Sequence, residues 1–123
     1  MTWTTEQLRG FEGAPELEIA VRRDDGTLGP WTPIWVVRNA NDVYVRSWYR
    51  RDTGWFGLIV RTKRARVRVP GVEVDVRVED VGAGPPILRA QVDDAYRDKY
   101  GSHPARSMVC DQAAATTLRL LPT

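Results

Sequence analysis

A chain of 123 residues with one cysteine, Cys110, and one histidine, His103, can bury a real core without staples, and it excludes an internal disulfide and a Cys/His metal cage. With 18 basic against 16 acidic residues the formal net charge is +2, which argues against a chain built to bind nucleic acid, so any anion preference has to be local. The opening stretch MTWTTEQLRGFEGAPE has no basic n-region or apolar h-region, and no apolar run approaches the roughly 20 residues of a membrane span; one soluble cytoplasmic domain over 1–123 is expected, with no membrane partner.

Taken in chain order, Thr4 and Thr5 before EQLRGF predict a capped short helix ended by Gly10 or Gly13. ELEIAVRR alternates Leu17, Ile19 and Val21 against Glu16, Glu18 and Arg22, which predicts a strand, and Asp25-Gly26 follows as a turn. WTPIWVVRNANDVYVRSW reads as two strands joined at NAND, with Pro33 keeping the first one's start at an edge or bulge; the three strands are expected to form a meander. GWFGLIVRTKR puts Trp55, Leu58, Ile59 and Thr62 on one helical face. ARVRVPGVEVDVRVED predicts a hairpin about Pro70-Gly71 with its valines inward.

After the breaker-rich VGAGPP at 81–86 the period becomes helical. PPILRAQVDDAYRDKYG predicts an amphipathic helix carrying Leu88, Val92, Ala95, Tyr96 and Lys99 and stopped at Gly101. ARSMVCDQAAA predicts a further helix and TTLRLLP a closing strand. Six strands with few, short helices predict a small barrel capped by helices.

Two basic stretches need a physical reading. In RTKRARVRVPGVEVDVRVED, inward Val67 and Val69 turn Arg66 and Arg68 outward, and inward Val74 and Val76 put Glu73, Asp75 and Arg77 on that same outer side, so cross-strand charge pairing accounts for the run without a ligand. In YVRSWYRRDTGWF, Arg46, Ser47, Arg50 and Arg51 lie at a strand end and in the loop entering a short helix. A hydroxyl, guanidinium forks and the orphan N–H groups of a helix start favour a phosphate, and Trp48, Tyr49 and Trp55 offer flat surface for a ring. The competing reading is that Trp48 and Trp55 fill the core and the arginines are solvated.

The other reactive side chains read as structural. His103 beside Pro104 is expected in a loop and Cys110 as a packed thiol within a helix; Asp93 and Asp94 offer a carboxylate pair, but Asp94 and Asp98, at i, i+4 near Arg97 and Lys99, read as a solvated helix surface. No dinucleotide, P-loop or zinc-protease motif is present.

The stretches TWTTEQL, ELEIAVRRDDGTL, IWVVRNANDVYVRS, GVEVDV, DDAYRDKYG and ATTLRLLP resemble, in this order, an uncharacterised bacterial family, the domain-of-unknown-function family 2255. More distantly, DVYVRSWYRRDTGWFGLIV followed by RVRVPGVEVDVRV is similar to the FMN-binding split barrels, including pyridoxamine-phosphate-oxidase-like proteins and deazaflavin-dependent nitroreductases. That resemblance implies an α+β, mainly β fold: a six-stranded antiparallel split barrel with short capping helices, dimeric, holding FMN or a deazaflavin coenzyme at the dimer interface. It implies phosphate contacts from Ser47, Arg50 and Arg51 with Arg46 adjacent, an aromatic role for Trp55, no metal, and an oxidoreductase activity. Gly57-Leu58 stands where the deazaflavin branch carries Asn-Leu. The alternative is a cofactor-free ligand-binding or interaction module of the same fold.

Overall fold

The fold was read from a computed structural model, which describes residues 2–47 and 54–123. Helix α1 (Thr5–Gly13) starts where Thr4 caps it: the Thr4 hydroxyl accepts the Gln7 N–H at 3.1 Å and the Gln7 side chain accepts the Thr4 N–H at 3.0 Å, a reciprocal capping box. Strands β1 (Leu17–Val21), β2 (Thr32–Ile34), β3 (Val36–Asn39) and β4 (Asp42–Val45) follow, then helix α2 (Gly54–Thr62). Strands β5 (Arg64–Val69) and β6 (Val72–Asp80) come next, then helices α3 (Pro86–Tyr100), α4 (Ser102–Val109) and α5 (Asp111–Ala114), and strand β7 (Leu118–Pro122).

All seven described strands join one antiparallel sheet in the order β2-β1-β5-β6-β7-β4-β3. The two ends of that order, β2 and β3, are separated in sequence only by Trp35, so the chain steps directly from one sheet edge to the other and the sheet curls into a nearly closed split barrel. This corrects two expectations. The segment around Pro33 is two strands rather than one, which raises the count from six to seven, and the expected meander of β1, this segment and β4 is split at Trp35, because β2 pairs with β1 while β3 pairs with β4 at the other end of the sheet. Pro33 sits in the edge strand β2, where its missing N–H costs no ladder bond on the open side. The helices are also not uniformly short: α3 runs 15 residues until Gly101, at φ 89°, ends it.

The β5–β6 hairpin has the expected register. Arg66 faces Asp75, Arg68 faces Glu73 and Val67 faces Val74, with Gly71 supplying the φ of 84° that the turn requires. Val67, Val69, Val76 and Val78 are buried, and Val72 and Val74 partly so. Outside, Arg66 pairs with Glu73 at 2.9 Å and Asp75 at 3.2 Å, while Arg68 pairs with Glu18 of β1 at 2.9 Å and lies 3.9 Å from the Trp31 ring centroid. The quoted basic run is therefore largely a paired outer face.

Two apolar clusters hold the molecule. The barrel interior contains Phe11, Leu17, Ile19, Val43, Val45, Phe56, Ile59, Leu118 and Leu120, all essentially inaccessible. On α2 the buried face is Phe56 and Ile59, and Trp55, expected among the core-facing residues, is only half-buried. Val37 and Tyr44 face the opposite way, against Val92, Tyr96, Ala105 and Met108 of α3 and α4. The β3–β4 hairpin is thus covered on both faces at the end away from its turn, where Val36, Val37, Val43, Tyr44 and Val45 are all apolar and buried.

Candidate functional site

The site predicted from sequence starts at the end of β4. Period two sends Val43 and Val45 into the barrel and Tyr44 and Arg46 to the other face, which α3 and α4 cover. Arg46 consequently has a fully enclosed side chain. Its Nη1 donates to Asp93 Oδ1 of α3 at 2.5 Å and to the Met108 carbonyl at 2.7 Å; its Nε donates to the Thr117 hydroxyl at 2.8 Å. The guanidinium carbon lies 5.5 Å from the Tyr96 ring centroid. Asp93 continues outward to Arg89 at 3.6 Å, and Arg89 to the exposed Asp111 at 2.8 Å, so a ladder of alternating charge runs from the interior to the surface.

Ser47 is buried next to it. Its N–H donates to the Thr116 hydroxyl at 2.8 Å, and that hydroxyl lies 2.6 Å from the Ala113 carbonyl, which ties the strand end to the turn before β7. Helix α2 opens at Gly54, with Trp55 edge-on to Phe56 at 5.6 Å between ring centroids. Arg46 and Ser47 are thus brought together at one anchored strand end, and Trp55 stands half-buried at the head of the next helix. Arg50 and Arg51, with Trp48 and Tyr49, lie outside the described residues.

Sequence reasoning missed Asp93, Thr116 and Thr117, the groups that hold the strand end. Asp93, which the sequence pairs with Asp94 on a helix surface, is buried. Two further readings are corrected. Cys110 is exposed at the break between α4 and α5, and His103 is exposed in the first turn of α4 instead of a loop. Tyr96 hydroxyl and Arg46 Nη2 are both buried with no hydrogen-bond partner among the described residues, and burial pushes the Tyr96 phenol up.

A second polar locus lies where α3 meets α1 and β3. Lys99 Nζ donates to the Phe11 carbonyl at 3.0 Å and the Val36 carbonyl at 2.7 Å, beside a groove of about 570 Å3 that also involves Glu12, Arg38, Asp94 and Asp98. Next to it Tyr100 stacks on Trp35 at 4.0 Å, accepts the Val36 N–H and donates to the Pro15 carbonyl at 2.8 Å. Burial lowers the Lys99 amine from 10.5 to about 8 and raises the Tyr100 phenol from 10.0 to about 12.

The pH dependence of stability follows from these directions. Between about pH 8 and 10.5 the unfolded chain holds a proton on Lys99 that the folded chain has lost, so stability is expected to rise with pH there. Above about pH 10 the unfolded tyrosines ionise while Tyr96 and Tyr100 stay protonated in the fold, and stability falls. Urea midpoints at pH 7, 8, 9 and 10 check this. Lys99→Met should flatten the rise; an unaltered rise in the variant would remove Lys99 as its source.

Comparison with known proteins confirms the fold. The heme storage protein HutZ from Vibrio cholerae is similar at TM-score 0.72 and 12% identity, over 100% of this chain and 92% of that one. A conserved hypothetical protein from Mycobacterium tuberculosis is similar at TM-score 0.65 and 14% identity, over 98% and 79%. An FAD-binding protein from Mesorhizobium loti is similar at TM-score 0.64 and 17% identity, over 100% and 92%. These likenesses are of fold alone, a nearly closed split β-barrel with helices. No curated protein matches the sequence. The family model described as "Uncharacterized protein conserved in bacteria (DUF2255)" matches residues 7–120, nearly the whole barrel with its helices, and the chain belongs to that family.

Proposed function

We propose that this protein is a homodimeric split barrel that holds FMN or a deazaflavin coenzyme at the join between β4 and α2 and acts as an oxidoreductase. The observation that carries this reading is the anchored strand end: Ser47 is held by Thr116, and Arg46 by Asp93, Thr117 and the Met108 carbonyl, a few residues ahead of α2 in sequence. A phosphate site is favoured by a serine with a fixed backbone ahead of a helix start, and the half-buried Trp55 adds a flat surface for a ring.

The residues divide by role. Arg46 is a positioning residue, since its charge is neutralised inside the protein; Ser47, Arg50 and Arg51 are the proposed phosphate contacts. A bound flavin-type ring supplies the hydride or electron chemistry, and the chain binds and orients it. A second copy fits the partly buried Trp55, Leu58 and Val60 of α2 and Val72 and Val74 of the hairpin, which pack on the core from one side only.

A cofactor-free binding module is the second reading. It is favoured by the commitment of Arg46 to Asp93, which leaves the described part of the grip with no outward guanidinium. A thermal-shift panel with FMN, deazaflavin coenzyme, pyridoxal phosphate and haem separates the two. A ligand at a hundred times its dissociation constant adds about 2.7 kcal/mol, which moves the midpoint by several degrees. A shift with FMN or the deazaflavin alone is expected; no shift with any of the four, and no visible absorption band in the purified protein, supports the second reading. Sedimentation at micromolar concentration tests the dimer.

A further inference from the structure

One row of residues on the outer face of the barrel carries arginine on three neighbouring strands. Arg64 of β5 faces Arg77 of β6 directly. On its other side the Arg22 N–H donates to the Arg64 carbonyl at 2.9 Å, one step beyond the Val21–Ala65 pair, so Arg22 flanks it. Arg64 and Arg77 are exposed and make no ion pair among the described residues.

The nearby acids are already committed. Asp75 is held by Arg22 at 2.9 Å and Arg66 at 3.2 Å, Glu79 by Arg119 at 3.2 Å, and Asp80 accepts the Gly82 N–H at 3.1 Å. Lys63 adds a further exposed cation next to Arg64. It takes a left-handed backbone at φ 60°, unusual for a side-chain-bearing residue, where it ends α2 by donating its N–H to the Ile59 carbonyl at 2.8 Å. Shallow grooves of about 360 and 380 Å3 flank the row, one beside Arg22 and Arg64 and the other beside Lys63 and Arg77.

Like charges at facing strand positions repel, and no acid among the described residues pairs with either arginine. Arg64 and Arg77 start from adjacent strands whose backbones are roughly 5 Å apart, so their long stems let both guanidinium forks converge on one polyvalent oxyanion. We infer that Arg64 and Arg77, with Lys63, form a binding site for a small polyvalent oxyanion of the phosphate-ester or pyrophosphate class. This site lies at the opposite end of the nine-residue α2 from Gly54, roughly 13 Å along the helix.

Inorganic pyrophosphate, titrated by calorimetry at fixed ionic strength, is the probe. Saturable binding is expected for the parent. Arg77→Glu is expected to weaken binding by more than about tenfold, since charge-assisted bonds to the anion are lost. The same variant should melt at a higher temperature without ligand, because the new carboxylate faces Arg64. That combination separates a binding loss from a folding defect. Arg97→Glu, the same charge change on α3, should bind like the parent. The inference is overturned if the parent shows no saturable binding, if Arg77→Glu binds equally well, or if Arg97→Glu loses as much. Loss in an Arg50→Ala/Arg51→Ala variant with Arg77→Glu unaffected would assign the anion to the β4–α2 join and also overturn it.

Discussion

Replacing Asp93 by alanine is expected to cost about 3 to 5 kcal/mol of stability, a third or more of what a domain of this size typically has. The reason is geometric. The Arg46 side chain is fully enclosed, and after the substitution it keeps the Thr117 hydroxyl and the Met108 carbonyl but loses its counter-charge. Removing both members, as Arg46→Met with Asp93→Leu, should cost much less, because no charge is then stranded in an apolar layer of Val37, Tyr44, Val92 and Met108. Urea unfolding of both variants and of the two Arg46 and Asp93 single changes gives the coupling. A loss below about 1 kcal/mol in Asp93→Ala would mean that the guanidinium finds other neutralisation, and the strand end would not depend on this pair.

Changing Arg50 and Arg51 together to alanine is expected to weaken FMN or deazaflavin binding by two orders of magnitude or more, each lost charge-assisted hydrogen bond being worth about 1.5 to 3 kcal/mol. Unfolding should barely change. The control is Arg66→Ala with Arg68→Ala, which removes the same charge from the outer face of the hairpin, where both side chains are paired with acids. Binding should survive it. Equal loss in both double variants would reduce the effect to bulk charge, and an unchanged affinity in Arg50→Ala/Arg51→Ala would remove the proposed phosphate grip.

Comparing these two sites shows where local pattern suffices. The β5–β6 hairpin was legible residue by residue, because a two-residue turn at Pro70-Gly71 and strict period-two valines leave one register that buries the apolar side. Helix α1 was legible from Thr4 and Thr5 ahead of EQLRGF, and the capping bonds of Thr4 with Gln7 span only three residues. The strand-to-helix passage from β4 to α2 was legible too, with Trp55 at its head, although the side of α2 that packs inward turned out to be Phe56 and Ile59.

What local pattern could not show is which outer faces another layer covers. Arg46 alternates with Val45 as a solvent-facing arginine would, and Asp93 sits on a helix among Arg89, Asp94 and Arg97 as a solvated carboxylate would. They meet across 47 residues of sequence only because α3 and α4 pack on the back of β3 and β4, turning a wet face into an interior one. The same holds at the sheet edges. The β2–β3 segment looked like a single strand, and only closure of the barrel, which places β2 and β3 at opposite ends of the strand order, required a break at Trp35. Short-range hydrogen bonding and side-chain alternation act over a few residues and can be read along the chain; burial of a polar residue depends on a layer contributed from far away, which alternation cannot encode.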